Sequence, residues 1–546
     1  MKLVTVPEMQ AIEREADAGG LTYAEMMENA GLGLAEVVAD VFGERRDGGV
    51  LGLVGSGNNG GDTLVALSHL AAQGWRASAY LVRPRPEDDS LAGRLKEAGG
   101  EIMSIEQDAG LERLAAWVRN HAVLLDGVLG TGIRLPLRGK LAAALAKTRE
   151  IVMSMDSAPK VVAVDCPSGV DCDSGEAAAE TIPAGLTVTM AAVKTGLLRF
   201  PASRLSGELR VVPIGLETSG IALESWERIQ RRVASAEMVR ESLPDRPVDA
   251  HKGTFGTALV VAGSLNYTGA ALLAGQAAYR AGAGLVTLAV PSVLHAPLAG
   301  QFPEATWLLL PHEMGVIAEG AAEVIYKNLE RATAMLVGPG FGTEEKTLSF
   351  LARLIGASRA SRGGGIGFVS PGRVEPSGDA LALPPLVVDA DGLKLLARIQ
   401  GWERYLPAPA VLTPHPGEMA VLTGLETDEI QADRLAVAER FAQEWGHVVV
   451  LKGANTVVSG PDGRTIVIPV ATAALARAGT GDVLAGLIAG LRAQGMEAFE
   501  AAVAGCWIHA QAGLEAEKKL GSTASVLAGD VLRGVPEVMR RLSSPK

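Results

Sequence analysis

Cysteine is scarce in this sequence, with three residues (Cys166, Cys172 and Cys506) in a chain of 546. They make no C-x-x-C pair and no histidine cluster flanks them. That excludes a disulfide framework and a cysteine zinc site, and it points to a reducing, cytoplasmic setting. Aromatic side chains are also sparse, at 4%. Basic charge has no surplus: 50 lysines and arginines stand against 62 acids, a net charge of −12, so a broad nucleic-acid surface is not expected. Residues 253–279 are uncharged and numerous enough to span a bilayer, but Gly253, Gly256, Gly263, Ser264, Asn266 and Gly269 interrupt them. They read instead as strand, turn and helix. The segment from Met1 to Pro7 has no apolar core of a signal peptide. A soluble protein without membrane partners is expected.

What the chain has in quantity is glycine, 66 residues, within a 48% hydrophobic composition. Such a composition belongs to a tightly packed α/β protein, and 546 residues are too many for one core. The order of elements agrees. Tyr23 to Val41 has apolar residues at helical spacing. Val50–Val54 is a short strand running into Gly55-Ser56-Gly57-Asn58-Asn59-Gly60-Gly61-Asp62 and then a helix. Strands follow at Ala77–Val82, Val123–Asp126, Val161–Asp165, Leu186–Met190 and Leu209–Val212. From Glu217 to Pro247 the texture turns polar, and a domain boundary is placed at 222/223. The alternation then restarts, with strands at Thr257–Ala262, Leu285–Val290, Ala334–Val337, Leu386–Val388, Ala410–Leu412 and His447–Leu451. Strands alternating with helices predict parallel, helix-covered sheets in both halves. The stretch from Gly363 to Pro376 fits no element and reads as an inserted surface loop.

Chemistry concentrates at the strand ends. In an open parallel sheet the carboxyl ends of the strands line one edge, where ligands bind. Asn59, Asp126, Asp165 and Ser168 converge there although they are far apart in sequence. Their amide, carboxylate and hydroxyl oxygens suit a hard, weakly hydrated cation or ligand hydroxyls. In the second half, Gly479-Thr480-Gly481-Asp482 precedes an apolar helical run from Val483 to Leu491. A helix that starts in a glycine-rich turn turns free N–H groups toward an anion. An acid beside such an anion hole can take the proton of a hydroxyl that attacks phosphorus. The plain alternative for Asp482 is a helix cap.

Taken in order, these segments resemble a known family. Met26-Met27-Glu28-Asn29-Ala30, Gly57 to Asp62, Asp126 to Gly132 and Asp165-Cys166-Pro167-Ser168-Gly169 carry the likeness in the first half. In the second it rests on His251 to Gly256, Tyr267 to Ala270, Gly338-Pro339-Gly340, Asp389-Ala390-Asp391-Gly392, Thr413 to Glu418, Lys452 to Thr456 and Gly479 to Asp482. The pattern is similar to the bifunctional NAD(P)H-hydrate repair enzymes, an epimerase domain fused to an ADP-dependent dehydratase. The resemblance implies a Rossmann-like αβα domain over 1–222 and a ribokinase-like αβα domain over 223–546. It implies small-molecule substrates, the hydrates NADHX and NADPHX together with ADP, and a homo-oligomer. One half would interconvert the R and S hydrates. The other would phosphorylate the C6 hydroxyl of the S form and release NAD(P)H, AMP and phosphate.

The same resemblance assigns residues. Asn59, Asp126 and Ser168 match potassium ligands. Asn58, Asn59, Gly60, Gly61 and Asp62, with Gly130, Thr131, Gly132, Ile133, Arg134, Leu135 and Pro136, match hydrate-binding segments, as does Asp165, the acid/base. Ala270, Gly340, His415 and Asp482 match hydrate contacts in the dehydratase, with Asp482 as base. Lys452, Gly453, Ala454, Asn455, Thr456 and Gly481 match the nucleotide site, where Mg2+ would accompany ADP. Two departures stand out. Thr63 replaces a usual glycine, and 470–477 (Val-Ala-Thr-Ala-Ala-Leu-Ala-Arg) replaces the segment that normally leads into the anion hole. Two rivals share parts of the pattern. A vitamin-precursor kinase fused to a non-catalytic domain explains only the second half. A scaffold domain of the mRNA-decapping type leaves the acids of the first half without a role.

Overall fold

The computed structural model describes residues 1–221, 223–357 and 383–543, so the loop expected at 363–376 lies outside the described residues. The chain divides into two compact units, Met1–Arg231 and Arg232–Lys546. Residues 223–231 go with the first unit for physical reasons. Leu223, Trp226 and Ile229 pack into its core, and Glu15 accepts hydrogen bonds from the backbone of Glu224 and Ser225 at 2.8 and 3.1 Å.

In the first unit seven strands form one sheet: β1 (Val50–Val54), β2 (Ala77–Leu81), β3 (Glu101–Ser104), β4 (Val123–Gly127), β5 (Lys160–Val164), β6 (Leu186–Met190) and β7 (Glu208–Val212). Their order is β3-β2-β1-β4-β5-β6-β7, and every pairing is parallel. Such strands are apolar on both faces because each face carries a core. Val50, Val54, Val123, Leu125, Val162 and Val164 pack on one side. Leu51, Leu53, Leu124, Val161 and Ala163 pack on the other. The order reverses between β1 and β4, and in an open sheet a ligand crevice opens at that switch point.

Three helices shape the crevice: α1 (Val6–Ala18), α2 (Tyr23–Phe42) and α3 (Asn58–Ala72). Thr5 and Thr22 cap the first two with reciprocal capping boxes through Glu8 and Glu25, each satisfying backbone donors that would otherwise be orphaned. The glycine-rich segment differs from the expected turn. Only Gly55 to Gly57 is non-helical, and Asn58 to Asp62 form the first turns of α3. Its glycines serve close approach: a β-carbon on Gly60 would lie 2.1 Å from the Gly55 carbonyl oxygen, and one on Gly61 2.5 Å from the Met27 sulfur. Thr63, the departure noted above, is fully buried and its hydroxyl donates to the Asn59 carbonyl at 2.6 Å.

The second unit holds a ten-stranded sheet: β8 (Arg231–Val233), β9 (Thr257–Val261), β10 (Leu285–Pro291), β11 (Thr306–Leu310), β12 (Ala334–Val337), β13 (Leu386–Val388), β14 (Val411–Leu412), β15 (Val448–Leu451), β16 (Val457–Ser459) and β17 (Thr465–Val467). The order is β8-β17-β16-β15-β14-β13-β12-β9-β10-β11. The run from β15 to β11 is parallel, and β15-β16-β17 is an antiparallel meander. Alternate residues again feed two cores, Ala258 and Val260 into one and Leu259 and Val261 into the other. Around the sheet lie α4 (Thr268–Arg280), α5 (Pro416–Thr423), α6 (Arg434–Trp445), α7 (Thr480–Ala493) and α8 (Ala498–Leu520). The α/β architecture with parallel sheets matches the expectation. No helix among the described residues is long and apolar enough to cross a membrane.

Candidate active sites

In the first unit, Gly55–Asp62 follows β1, Asp126–Pro136 follows β4, Asp165–Ser168 follows β5 and Lys194 follows β6. The strand-end loops therefore meet on one edge. A cleft there is lined by Asn58, Asn59, Asp62, Thr131, Asp165 and Lys194, and closed by Met9 and Glu13 of α1 and Met26 and Met27 of α2. Of the loop 130–136 only Thr131 lines it. Gly60 and Gly61 pack against protein behind it.

Asp165 sits in the cleft with φ +65°, a conformation a non-glycine residue holds only where its surroundings impose it. Its Oδ1 accepts from the Thr189 hydroxyl at 2.9 Å, from the Met190 amide at 3.0 Å and from the Lys194 ammonium. Lys194 is almost fully buried and also donates to Thr189 Oγ1 at 3.1 Å and the Met190 carbonyl at 3.0 Å. Burial opposes its charge, yet Asp165 beside it holds the ammonium above the usual lysine value. The strand Leu3–Val4 pairs with Val193–Lys194, which fixes the lysine and delivers α1 over the cleft. Sequence reasoning missed both Lys194 and Glu13. Burial raises the Glu13 carboxyl against the pull of Lys194, with the Asp165 carboxylate adding to it, and burial and then Asp165 lift Asp62 well above the carboxylate range against the same lysine.

Asn59, Asp126 and Ser168 also come together. The Ser168 amide donates to Asp126 Oδ2 at 2.9 Å, and the Ser168 hydroxyl accepts from the Leu129 amide at 2.9 Å. Asn59 donates to the Val164 carbonyl at 2.6 Å, while its Oδ1 lies against Gly130, 2.4 Å from where a β-carbon would stand. Asp126 Oδ1 is buried without a hydrogen-bond partner, and burial raises that carboxyl. A buried carboxylate oxygen with no donor, on a carboxylate held by Ser168 while Ser168 and Asn59 both meet Leu129, fits a cation. Among the described residues no group of three or more His, Cys, Asp or Glu could hold a metal ion.

In the second unit α7 begins at Thr480, earlier than the expected Val483, after Gly479 at φ +88°. No side chain caps it. Asp482 lies within the first turn and does not cap it. A β-carbon on Gly481 would stand 3.6 Å from the Lys452 ammonium and 3.9 Å from Asp389 Oδ2. Lys452 donates to Asp389 Oδ1 at 2.8 Å and pairs with Glu418 at 3.5 Å. Burial, then Asp389, pushes the Asp482 carboxyl up to about 7 against the pull of Lys452.

Of the remaining expected residues, His415 is tied to this centre through Glu418. His415 caps α5: its Nδ1 accepts from the Gly417 and Glu418 amides at 3.0 and 3.2 Å, and its Nε2 lies 3.3 Å from Glu418. Gly340, at φ +66°, packs on Ala270, their β-carbons 2.9 Å apart if Gly340 had one. The loop 452–456 is a tight turn in which Thr456 donates to the Gly453 carbonyl at 2.8 Å, with Gly453 at φ +146°. Arg434 of α6 braces it from behind by donating to the Leu451 carbonyl at 2.8 Å. The unusual segment 470–477 is anchored at both ends. Thr472 donates to Glu517 at 2.6 Å, and the Thr480 hydroxyl donates to the carbonyls of Leu475 and Arg477 at 2.8 Å. Sequence reasoning gave no role to Asp389, Glu418 or Arg434.

Comparison with known proteins agrees with both units. The NAD(P)H-hydrate dehydratase family profile matches residues 258–361 and 379–536, and that of the YjeF-related protein N-terminus matches 23–196. The bifunctional NAD(P)H-hydrate repair enzyme Nnr of Moorella thermoacetica is 35% identical, over 99% of this chain and 97% of its own. The chain belongs to the bifunctional NAD(P)H-hydrate repair enzyme family. The Escherichia coli member is 33% identical, over 98% of this chain and 92% of its own. A Bacillus subtilis ADP/ATP-dependent NAD(P)H-hydrate dehydratase crystallised with ATP/Mg2+ is 30% identical, covering 57% of this chain and 99% of its own, with a TM-score of 0.46. Family members carry both halves in one chain, which the vitamin-kinase rival does not explain.

Proposed function

We infer that this repair enzyme epimerises NAD(P)H hydrates in its first unit and dehydrates the S form with ADP in its second. The observation that carries the reading is a repeated one. Each unit sets carboxyl groups and a lysine at the carboxyl edge of its sheet: Asp165 pairs with Lys194, and Asp482 lies in the field of Lys452, which itself pairs with Asp389.

Inversion at C6 requires a bond at that carbon to break and re-form. Asp165 takes the C6 hydroxyl proton as C6–N1 opens, and an acid in the cleft returns a proton to the released nitrogen side; closure on the other face reverses both transfers. Asn58, Asn59, Asp62 and Thr131, which line the cleft, hold the hydrate. A potassium ion would be held by Asp126, Asn59 and Ser168, where it would neutralise a buried carboxylate and stiffen the binding turns.

In the second unit Asp482 removes the C6 hydroxyl proton as that oxygen attacks the β-phosphorus of ADP. The N–H groups at the start of α7 and the Lys452 ammonium face the charge on the transferred group. Lys452 through Thr456 and Gly481 hold the nucleotide, and Ala270, Gly340 and His415 the hydrate. Magnesium bound with the nucleotide would screen its phosphate charge. The push of the ring nitrogen then expels the phosphoester as phosphate, and loss of a C5 proton from the resulting iminium restores the C5–C6 double bond, giving NAD(P)H, AMP and phosphate. The test is incubation of purified protein with mixed hydrate epimers, with and without ADP, in potassium or lithium buffer. Epimer exchange should need potassium and not ADP; NAD(P)H formation should need ADP. Exchange that is equally fast in lithium would remove the cation assignment.

A further inference from the structure

Three carboxyl groups, Glu13, Asp62 and Asp165, share the first cleft with a single buried lysine. Burial and mutual repulsion disfavour full ionisation of such a set, so the hydrogen bonds around each carboxyl bear on which of them carries the proton. Asp165 Oδ1 receives three donors, the Lys194 ammonium, the Thr189 hydroxyl and the Met190 amide. Among the described residues every one of its side-chain hydrogen bonds falls on that oxygen, and Oδ2 is left to the cleft. The buried ammonium is itself fully engaged, since Asp165, Thr189 Oγ1 and the Met190 carbonyl take its three hydrogens. It is therefore placed to act through Asp165, with no hydrogen left for a ligand.

We propose that Lys194 is the positioning residue of the epimerase site, holding Asp165 as a carboxylate with Oδ2 as the proton-accepting atom and leaving the mobile proton on Asp62 and Glu13. Asp165 and the Asp62/Glu13 pair then divide the two roles that inversion at C6 needs, base and acid. The directions of titration agree: burial and the Asp165 charge raise Asp62 and Glu13. The charged or titratable groups around Asp165 are Glu13 of α1, Asp62 of α3, Lys194 after β6, and the thiols of Cys166 and Cys172. Cys166 is held in its neutral form by its hydrogen bond with Cys172 and by burial, so its thiol does not compete for the proton. The proposal rests on Asp165 being the epimerase acid/base.

The test compares Lys194→Met, Lys194→Gln and Asp165→Asn in the full chain, measuring kcat and KM for R/S exchange from pH 6 to 9 alongside the thermal midpoint. Loss of the ammonium lets Asp165 take up the proton. Either lysine variant should then lose at least about 10²-fold in kcat at pH 7, the scale of a general base. It should recover as pH rises, with the acid limb moved up by more than one unit and KM little changed. A loss of equal size at every pH, or one confined to KM, would overturn the proposal and leave Lys194 a packing residue. Exchange at the wild-type rate in Asp165→Asn would overturn the underlying assignment instead. Carboxyl titration of aspartate- and glutamate-labelled wild-type protein by NMR reads the proton's place without any variant. Asp62 and Glu13 should hold their protons above the ordinary carboxylate range, and ordinary titration of both also overturns the proposal.

Discussion

Burial and the neighbouring Asp389 push the Asp482 carboxyl up to about 7, and both its activity and its cost in stability follow from that. As a base it works only when ionised, so the dehydration rate at saturating hydrate and ADP should climb through about pH 7. The folded chain binds this proton more tightly than the unfolded chain does. Its contribution to stability is therefore full below about pH 4 and is lost as pH rises through about 7. Asp482→Asn should abolish the climb, lower kcat by at least about 10²-fold and change ligand affinities by less than about tenfold. It should also raise the thermal midpoint at pH 8 while leaving it unchanged at pH 4. An equal midpoint shift at both values would show that the carboxylate is not the strained group. At this scale the sequence was only partly legible. Asp165, Asp126 and Asp482 announce themselves at the ends of apolar strands or beside glycines. Lys194 does not, because a lone lysine after a strand acquires meaning only from an aspartate 29 positions earlier. Glu13 is hidden for a related reason: on an amphipathic helix it reads as a solvated charge.

Among the elements, β1 and β6 were read to the residue, because an apolar run ended by glycine or by a change of texture bounds a buried strand cleanly. Edge elements were not. β3 begins at an exposed Glu101 and is otherwise only half-buried, β11 carries an exposed Leu309, and the three-residue strands β16 and β17 are too short for a period to show. Glycine misled at α3 and α7. It marks turns and close helix packing alike, and at Asn58–Asp62 and Thr480–Gly481 it was packing and helix start that prevailed. Gly60→Ala tests this. Its methyl would press 2.1 Å from the Gly55 carbonyl, a backbone atom with no rotamer to yield. The expected loss is about 1–3 kcal/mol in the stability of the first unit. With it should go a fall in epimer exchange, since Asn59 and Asp62 ride on the same turn. Dehydration of pure S hydrate should keep its wild-type rate. Unchanged denaturant midpoint and exchange would mean that the turn accepts a side chain.

On the scale of the whole chain, two units with separate sheets, cores and carboxylate–lysine centres carry two reactions on one pool of damaged cofactor. Only the second reaction consumes that pool, and it takes one epimer. The first matters because the R form otherwise reaches the second site only by uncatalysed inversion. The consequence is a matter of extent, which makes it insensitive to enzyme concentration. With excess ADP, the wild-type chain should carry an equilibrium mixture of hydrates to NAD(P)H in a single continuous phase. Asp165→Asn should give a fast phase equal to the S share and then a slow tail that ignores added enzyme, because the tail is limited by chemistry in free solution. Asp482→Asn should produce almost no NAD(P)H, yet it should still bring pure R hydrate to the equilibrium mixture at the wild-type rate. Mixing the two variants should restore the single phase, because the hydrate passes between chains through solvent. If the mixture of variants shows the slow tail at every enzyme concentration, the intact chain does more than house two independent sites, and the R-derived hydrate must be handed on within one chain.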